Sequence, residues 1–281
     1  MFFMVCIILL AFPEKATIAA AEGLEVALKT VVVSVLPFSI AASAIIYSGK
    51  AAHMVRCITP LLKRIKINPY GIIALFMGFL GGYPTGCKIV CDLYRENRIS
   101  KSSAEKMLAY VNNGGIMFAL NVCGRNFFSS QKGGWIIFIA SVMGAVASML
   151  IMGRDEWTAV TEEEYKKRPP GAIWGKSIAS GGMVILNVMA SFIVMYAVMG
   201  AVGLEKMPVI SGFFEMTKGV MYAGEIKSLA LGALFFSVGG VGVWLQSSAL
   251  CGEWDISLKH YFGGKIISGV VAFLITYLWT K

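Results

Sequence analysis

Between residues 70 and 93 an apolar run is cut at its centre by Gly81-Gly82-Tyr83-Pro84-Thr85-Gly86-Cys87-Lys88, a helix-breaking cluster that ends on a cation. In water such a cluster is an ordinary loop. In hydrocarbon it is not, because each backbone N–H or C=O without a partner costs several kcal/mol unless protein or a wet cavity satisfies it. The arms on either side, 71–80 and 87–93, are each about half of the roughly 20 residues a crossing helix needs. A re-entrant hairpin, entering and leaving by one face, therefore fits the break better than two crossings. Interrupted helices at membrane depth form substrate sites in transporters.

Composition places the chain in the bilayer. At 57% hydrophobic and 15% charged residues, with mean hydropathy +0.72, the 281-residue chain is far more apolar than a soluble domain, in which roughly 25% of residues are charged. The 25 Lys and Arg against 16 Asp and Glu first serve to orient a membrane protein. No basic stripe interleaves with aromatics in a soluble segment, so nucleic acid is not a partner. The six cysteines form no CxxC pair and have no His-rich neighbours; Cys87 and Cys91 share a helix face, but two thiols without further ligands make a poor metal site. No metal, disulfide or cofactor is expected. His53 and His260 fall in loops, and no G-x-S-x-G, H-E-x-x-H, P-loop or paired-carboxylate set occurs, which argues against an enzyme.

In chain order, residues 1–12 are too short for a full span and lack the basic start and cleavage site of a signal peptide. Residues 30–47 form a span interrupted at Pro37. Residues 49–68 mix five basic residues with an apolar stripe, the pattern of an amphipathic helix lying in the interface. After the hairpin, the helix over 104–124 is broken at Asn112-Asn113-Gly114-Gly115, and 134–152 is an uninterrupted span. Residues 153–170 turn charged, with Glu162-Glu163-Glu164 and Lys166-Lys167-Arg168 before Pro169-Pro170. The second half repeats the order: a span over 177–201, a stretch over 209–222 broken at Glu215-Met216-Thr217-Lys218-Gly219, a helix over 228–250 broken at Gly239-Gly240-Val241-Gly242, and a span over 261–279.

Three landmarks keep a nearly constant offset: Gly86 and Gly219 by 133 (219 minus 86), Gly115 and Gly240 by 125 (240 minus 115), Trp135 and Gly263 by 128 (263 minus 135). With each hairpin returning to its own face, a half makes three crossings, and the second half starts from the opposite face. The predicted fold is thus an all-α polytopic membrane protein of inverted repeats, with two re-entrant helical hairpins and broken helices. Its parts are a partial span and connector (1–29), repeat 1 (30–152), a linker (153–176) and repeat 2 (177–281). This topology puts fifteen Lys or Arg residues on the face with 48–69, 92–106, 153–176 and 251–260, and seven on the other. Positive charge accumulates on the cytoplasmic side, which makes the linker cytoplasmic.

Four interrupted elements would converge near the midplane, offering free backbone groups and half-helix N-termini suited to an anion. The candidate substrate-binding residues are Gly82, Tyr83, Pro84, Thr85, Gly86 and Lys88 in the first hairpin, Asn112, Asn113 and Gly114 in the first broken helix, Glu215, Thr217 and Lys218 in the second hairpin, and Gly240 and Gln246 in the second broken helix. Lys88 and Lys218, at matching places, count as functional candidates because intramembrane charge is costly. Plainer roles stand beside these. The glycines can serve close helix packing, Lys88 can snorkel, Lys218 can pair with Glu215 three residues away, and Asn112 and Asn113 can cap half-helices.

The motif Gly82-Tyr83-Pro84-Thr85-Gly86-Cys87-Lys88, with Ile99-Ser100 and Glu105 ahead of Asn112-Asn113-Gly114, resembles the YlbJ (SpoVV) family of sporulation integral membrane proteins, which carry the nucleoside-recognition Gate domain. Glu215-Met216-Thr217-Lys218-Gly219 is similar to that family's E-x-T-x-G, and Gly239-Gly240-Val241-Gly242-Val243 with Gln246 to its Gly-Gly-x-x-V-x-x-Q. The chain differs in having Asn113-Gly114-Gly115 where a Ser-Gly-Pro-like run is common. The resemblance covers about residues 30–280. It implies a fold related to concentrative nucleoside transporters, in a bacterial cytoplasmic or forespore membrane, and a role in spore formation, where members are associated with moving dipicolinic acid. The expected partners are a small-molecule substrate and the lipid bilayer, with homo-oligomerisation open. Nucleoside movement and a non-transporting sporulation scaffold are the alternative readings.

Overall fold

The computed structural model describes residues 2–50, 59, 62, 64–155 and 169–281. Most of the expected interfacial helix over 49–68, and the charged part of the linker over 156–168, lie outside the described residues. All elements are helical, and no strand occurs among the described residues; one antiparallel bridge joins Ile67 to Arg154.

In the first half, α1 (Phe2–Ala11) and α2 (Pro13–Val26) lead through a π-helical stretch (Ala27–Val32) into α3 (Val33–Tyr47). Two short helices follow, α4 (Pro69–Gly81) and α5 (Thr85–Arg95), then α6 (Lys101–Val111), a second π-helical stretch (Phe118–Phe127) and α7 (Gln131–Met152). In the second half α8 (Pro170–Val202) precedes the short α9 (Pro208–Phe214) and α10 (Met216–Glu225), then α11 (Leu229–Val238), α12 (Gly240–Gly252) and α13 (Lys259–Trp279). The order long helix, short pair, broken helix, long helix occurs twice.

Sequence chemistry fixes most ends. Asn68 Oδ1 accepts from Tyr70 N at 3.0 Å ahead of Pro69 at the start of α4, and Ser100, Ser130 and Ser228 Oγ accept from the third amide of α6, α7 and α11. Gly82, Gly239 and Gly240 have φ of +75°, +80° and +77°, a left-handed backbone that glycine adopts without strain and that ends a helix sharply. Pro37 lies inside α3 without ending it. Its one missing hydrogen bond is tolerated because α3 packs along α8, so the first long helical stretch runs unbroken from Pro13 to Tyr47.

Among the described residues five helical stretches are long and apolar enough to cross a membrane: Pro13–Tyr47, Gln131–Met152, Pro170–Val202, Leu229–Gly252 and Lys259–Trp279. The sequence suggests a sixth over 104–124. It is missing from the set because the backbone at residues 112–115 leaves the helical path, so α6 and the π-helical stretch are separate pieces.

Each short pair folds back on itself. Between α4 and α5 a Cβ on Gly78 would lie 3.3 Å from Gly86 Cα, with both glycines also closing on the Val111 carbonyl at the end of α6, and between α9 and α10 a Cβ on Gly212 or Gly219 would come 2.6–2.7 Å from the other's Cα. The two glycine pairs are 134 (212 minus 78) and 133 (219 minus 86) residues apart. Matching long helices run antiparallel. Lys176 near the start of α8 stacks over Tyr47 at the end of α3, 4.2 Å from the ring centroid, whereas Tyr196 near its end meets Gly23 of α2. Likewise Ser148 Oγ late in α7 donates to Gly264 O early in α13 at 2.7 Å.

The polar turns sort into two groups. On one face Asp155 accepts from Lys106 Nζ at 2.8 Å and from Ser103 Oγ, Lys101 pairs with Asp255 at 2.7 Å, Ser257 N donates to Glu105 at 3.0 Å, and Asp155 N donates to Lys66 O at 2.9 Å. The Lys101 hydrogen bond holds the Asp255 carboxyl below its ordinary range. On the other face Gly224 packs on the Phe127 backbone, and Lys218 pairs with Glu22 at 3.1 Å.

Candidate functional site

The tip of each hairpin rests on the break of its own half. Gly82 and Gly115 are so close that a Cβ on Gly82 would lie 3.1 Å from Gly115 N, and a Cβ on Gly240 would lie 2.7 Å from Phe213 O. The halves also interlock. Tyr83 Oη donates to the Phe236 and Ser237 carbonyls (3.1 and 3.0 Å), and Asn112 Nδ2 donates to Ser247 Oγ (2.9 Å). Three of the interruptions and α12 beyond the fourth consequently face one cavity of about 30 Å³, lined by Gly82 and Tyr83, Gly114 and Gly115, Glu215 and Met216, and by Val243 and Gln246 of α12, and walled by apolar side chains of both π-helical stretches, α3 and α8. That is room for about one water molecule, so the structure is a closed form.

Lys265 sits behind Tyr83. It is 3% exposed, on the second turn of α13. Its Nζ donates to Asn112 O, to Tyr83 Oη (3.1 Å), Asn113 Oδ1 (3.2 Å) and Ser237 O (3.4 Å), and lies 4.8 Å from the Tyr83 ring centroid. Asn112 and Ser237 are where α6 and α11 end, so the ammonium closes the negative ends of two half-helices at once. Among the described residues no carboxylate pairs with it. Beyond Lys265 a cleft of about 440 Å³ opens between α9, α12 and α13, walled by Phe213, Trp244, Tyr261 and Phe262.

Several buried polar atoms at the breaks have no protein hydrogen-bond partner: Thr85 Oγ1, Asn112 Oδ1, Ser237 Oγ and Gln246 Oε1. Leaving such a group unmet costs about 1–3 kcal/mol; of the four, Gln246 belongs to the cavity lining.

Compared with curated proteins, the chain is 24% identical to the sporulation integral membrane protein YlbJ of Bacillus subtilis (strain 168), over an alignment of 323 positions that takes in 96% of this chain and 79% of that protein. The similarity runs over nearly the whole chain. No family model matches it, and no solved structure does.

In this YlbJ-like chain five of the residues singled out from sequence line the cavity: Gly82, Tyr83, Gly114, Glu215 and Gln246. Others support it. Asn113 Nδ2 caps α6 through Tyr110 O at 2.6 Å, and Gly86 allows α5 to close on Val111. Glu215 caps α10, accepting from Thr217 N (2.7 Å), Lys218 N (3.2 Å) and Thr217 Oγ1 (3.3 Å). Pro84 leads into α5, and Gly240 lines the larger cleft.

The two lysines lie elsewhere. Lys88 Nζ pairs with Asp92 at 2.6 Å, and Asp92 also accepts from Tyr47 Oη at 3.0 Å. Lys218 pairs with Glu22, not with the Glu215 carboxylate its spacing suggests, because Glu215 turns back onto the amides of its own helix while the lysine stem crosses Tyr196, 4.3 Å from the ring centroid. It lines a polar cleft of about 270 Å³ with Lys15, Glu205 and Lys206. Sequence reading passed over Lys265. The signal was present in the charge count: the fifteen and seven basic residues of the two faces leave three of the 25 within apolar segments, and the third is Lys265.

Proposed function

We propose that this chain is a membrane transporter or facilitator for a small polar metabolite bearing anionic groups, of the dipicolinic acid type, with a role in sporulation. The convergence of three helix interruptions, and of α12 beyond the fourth, on one cavity, with the Lys265 ammonium behind it at the junction of both broken helices, carries the reading. In it the short pairs are re-entrant hairpins, the antiparallel halves are inverted repeats similar to those of concentrative nucleoside transporters, and the basic face is cytoplasmic in a bacterial cytoplasmic or forespore membrane. The cation nearest the cavity is Lys265, which backs the wall residue Tyr83, since Lys88 and Lys218 are already neutralised by carboxylates. The closed cavity admits substrate only when a hairpin tip withdraws from its break, and the unpartnered Gln246 oxygen in its wall supplies a polar contact once it does.

A nucleoside substrate is the second reading, favoured by the Glu215 and Gln246 side chains in the cavity wall, an acceptor and an amide of the kind that reads hydroxyls and nucleobase edges. Thermal unfolding of the detergent-solubilised protein separates the readings. A ligand at 100 times its dissociation constant stabilises by about 2.7 kcal/mol. Dipicolinate is expected to raise the melting temperature and uridine or adenosine to leave it unchanged. The reverse pattern favours the nucleoside, and no shift with either favours a non-transporting scaffold.

A further inference from the structure

Three thiols that the sequence scatters over 165 positions meet in one place. Cys87 and Cys91 stand one turn apart on α5, and Cys251 comes from the last turn of α12 in the other half. Cys251 Sγ lies 3.3 Å from Cys87 Sγ and 3.7 Å from Cys91 Sγ, and all three sulfurs fall within 4.8 Å of one another. They are buried, at 0%, 4% and 1% exposure, and none is in a disulfide. The pairing of Cys87 and Cys91 alone makes a poor metal site; the third sulfur changes that, because it closes a triangle.

The dimensions of the triangle select a ligand. A metal about 2.3 Å from each of three sulfurs holds them about 4.0 Å apart, inside the range the three thiols span. No histidine belongs to the cluster, and the nearest carboxylate along α5, Asp92, is engaged by Lys88 and Tyr47. Zinc in a closed site takes four ligands, whereas an all-sulfur, three-donor set suits a soft monovalent ion. We propose that Cys87, Cys91 and Cys251 form a binding site for a thiophilic ion of the copper(I) class, fastening the first hairpin to the second broken helix. Binding displaces thiol protons to solvent and moves no electron. The site is one turn inside the basic face, since Cys251 is followed by the turn whose Asp255 pairs with Lys101, so an ion reaches it without crossing the apolar core.

The test uses the fully reduced, full-length protein in detergent, titrated with copper(I) against a competing colorimetric chelator. One ion per chain is expected, with affinity lowered about tenfold or more by Cys251→Ser or Cys87→Ser, as loss of a direct ligand requires. A variant carrying Cys6→Ser, Cys57→Ser and Cys123→Ser together is expected to bind like the parent. X-ray absorption of the loaded parent protein should show three sulfurs at about 2.3 Å, a readout that stands even where a cysteine variant fails to fold. No copper(I) uptake, unaltered uptake in a folded Cys251→Ser protein, or a first shell without three sulfurs overturns the proposal.

Discussion

Lys265 has its Nζ among four oxygen atoms from three separate breaks in the helical backbone. Replacing it with methionine keeps the length of the side chain and removes the charge, leaving the Asn112 carbonyl without its donor. Lys265→Met is therefore expected to lower stability by about 1–3 kcal/mol, read from thermal or denaturant unfolding in detergent; an unchanged midpoint argues against a structural role for the ammonium. Lys88 shows the opposite arrangement, a lysine whose charge is met locally by Asp92. At the residue scale the sequence exposed which positions are polar inside apolar segments, but not which of them meet. Whether Lys88, Lys218 or Lys265 faces the cavity depends on contacts across more than a hundred residues, such as Lys265 to Asn112 and Lys218 to Glu22, and no local spacing reports those.

Among elements, the hairpins are held by glycine. Gly78 and Gly86 close on the Val111 carbonyl, and Gly212 on Gly219, so even a methyl group forces the first hairpin off the end of α6 and the arms of the second apart. Gly86→Ala is expected to destabilise the protein by about 1–3 kcal/mol through overpacking. Gly182→Ala, at a position with open space around it, should change stability by no more than about 0.5 kcal/mol. Comparable losses for both would mean that the close approach at Gly86 does not hold the hairpin. The element order was legible in advance because glycine and proline clusters interrupt apolar runs at the same places in both halves. Two features were not. Pro37 leaves α3 intact, since packing against α8 outweighs one missing hydrogen bond, and the four residues from Asn112 to Gly115 separate α6 from the following turns more completely than a kink.

For the whole molecule, the grouping of polar turns fixes which loops share a face. The Lys101 to Asp255 and Glu105 to Ser257 contacts place turns of the two halves together, and Gly224 against Phe127 does so for the opposite side. Single cysteines at Ser102 and Ser257, in a background without native cysteines, are expected to react with an impermeant thiol reagent from one side of sealed vesicles. Cysteines at Ser129 and Lys227 should react from the other; labelling of all four from one side contradicts the topology. The charge bias of the sequence already pointed to these two groups, because basic residues mark loops. The closed cavity and its small volume were not legible, since they depend on how far the hairpin tips press into the breaks.

The central claim, that the helix breaks and α12, backed by Lys265, form a transport site, is tested most directly by dipicolinate flux into proteoliposomes. Saturable uptake is expected for the unaltered protein, reduced about 10-fold or more by Lys265→Met and by Gln246→Leu, a loss of at least about 1.4 kcal/mol in transition-state terms. Lys88→Met and Lys218→Met should leave it within about threefold, a difference of less than about 1 kcal/mol. Uptake that does not saturate, or that is indifferent to Lys265 and lost with Lys88 and Lys218, would contradict the account.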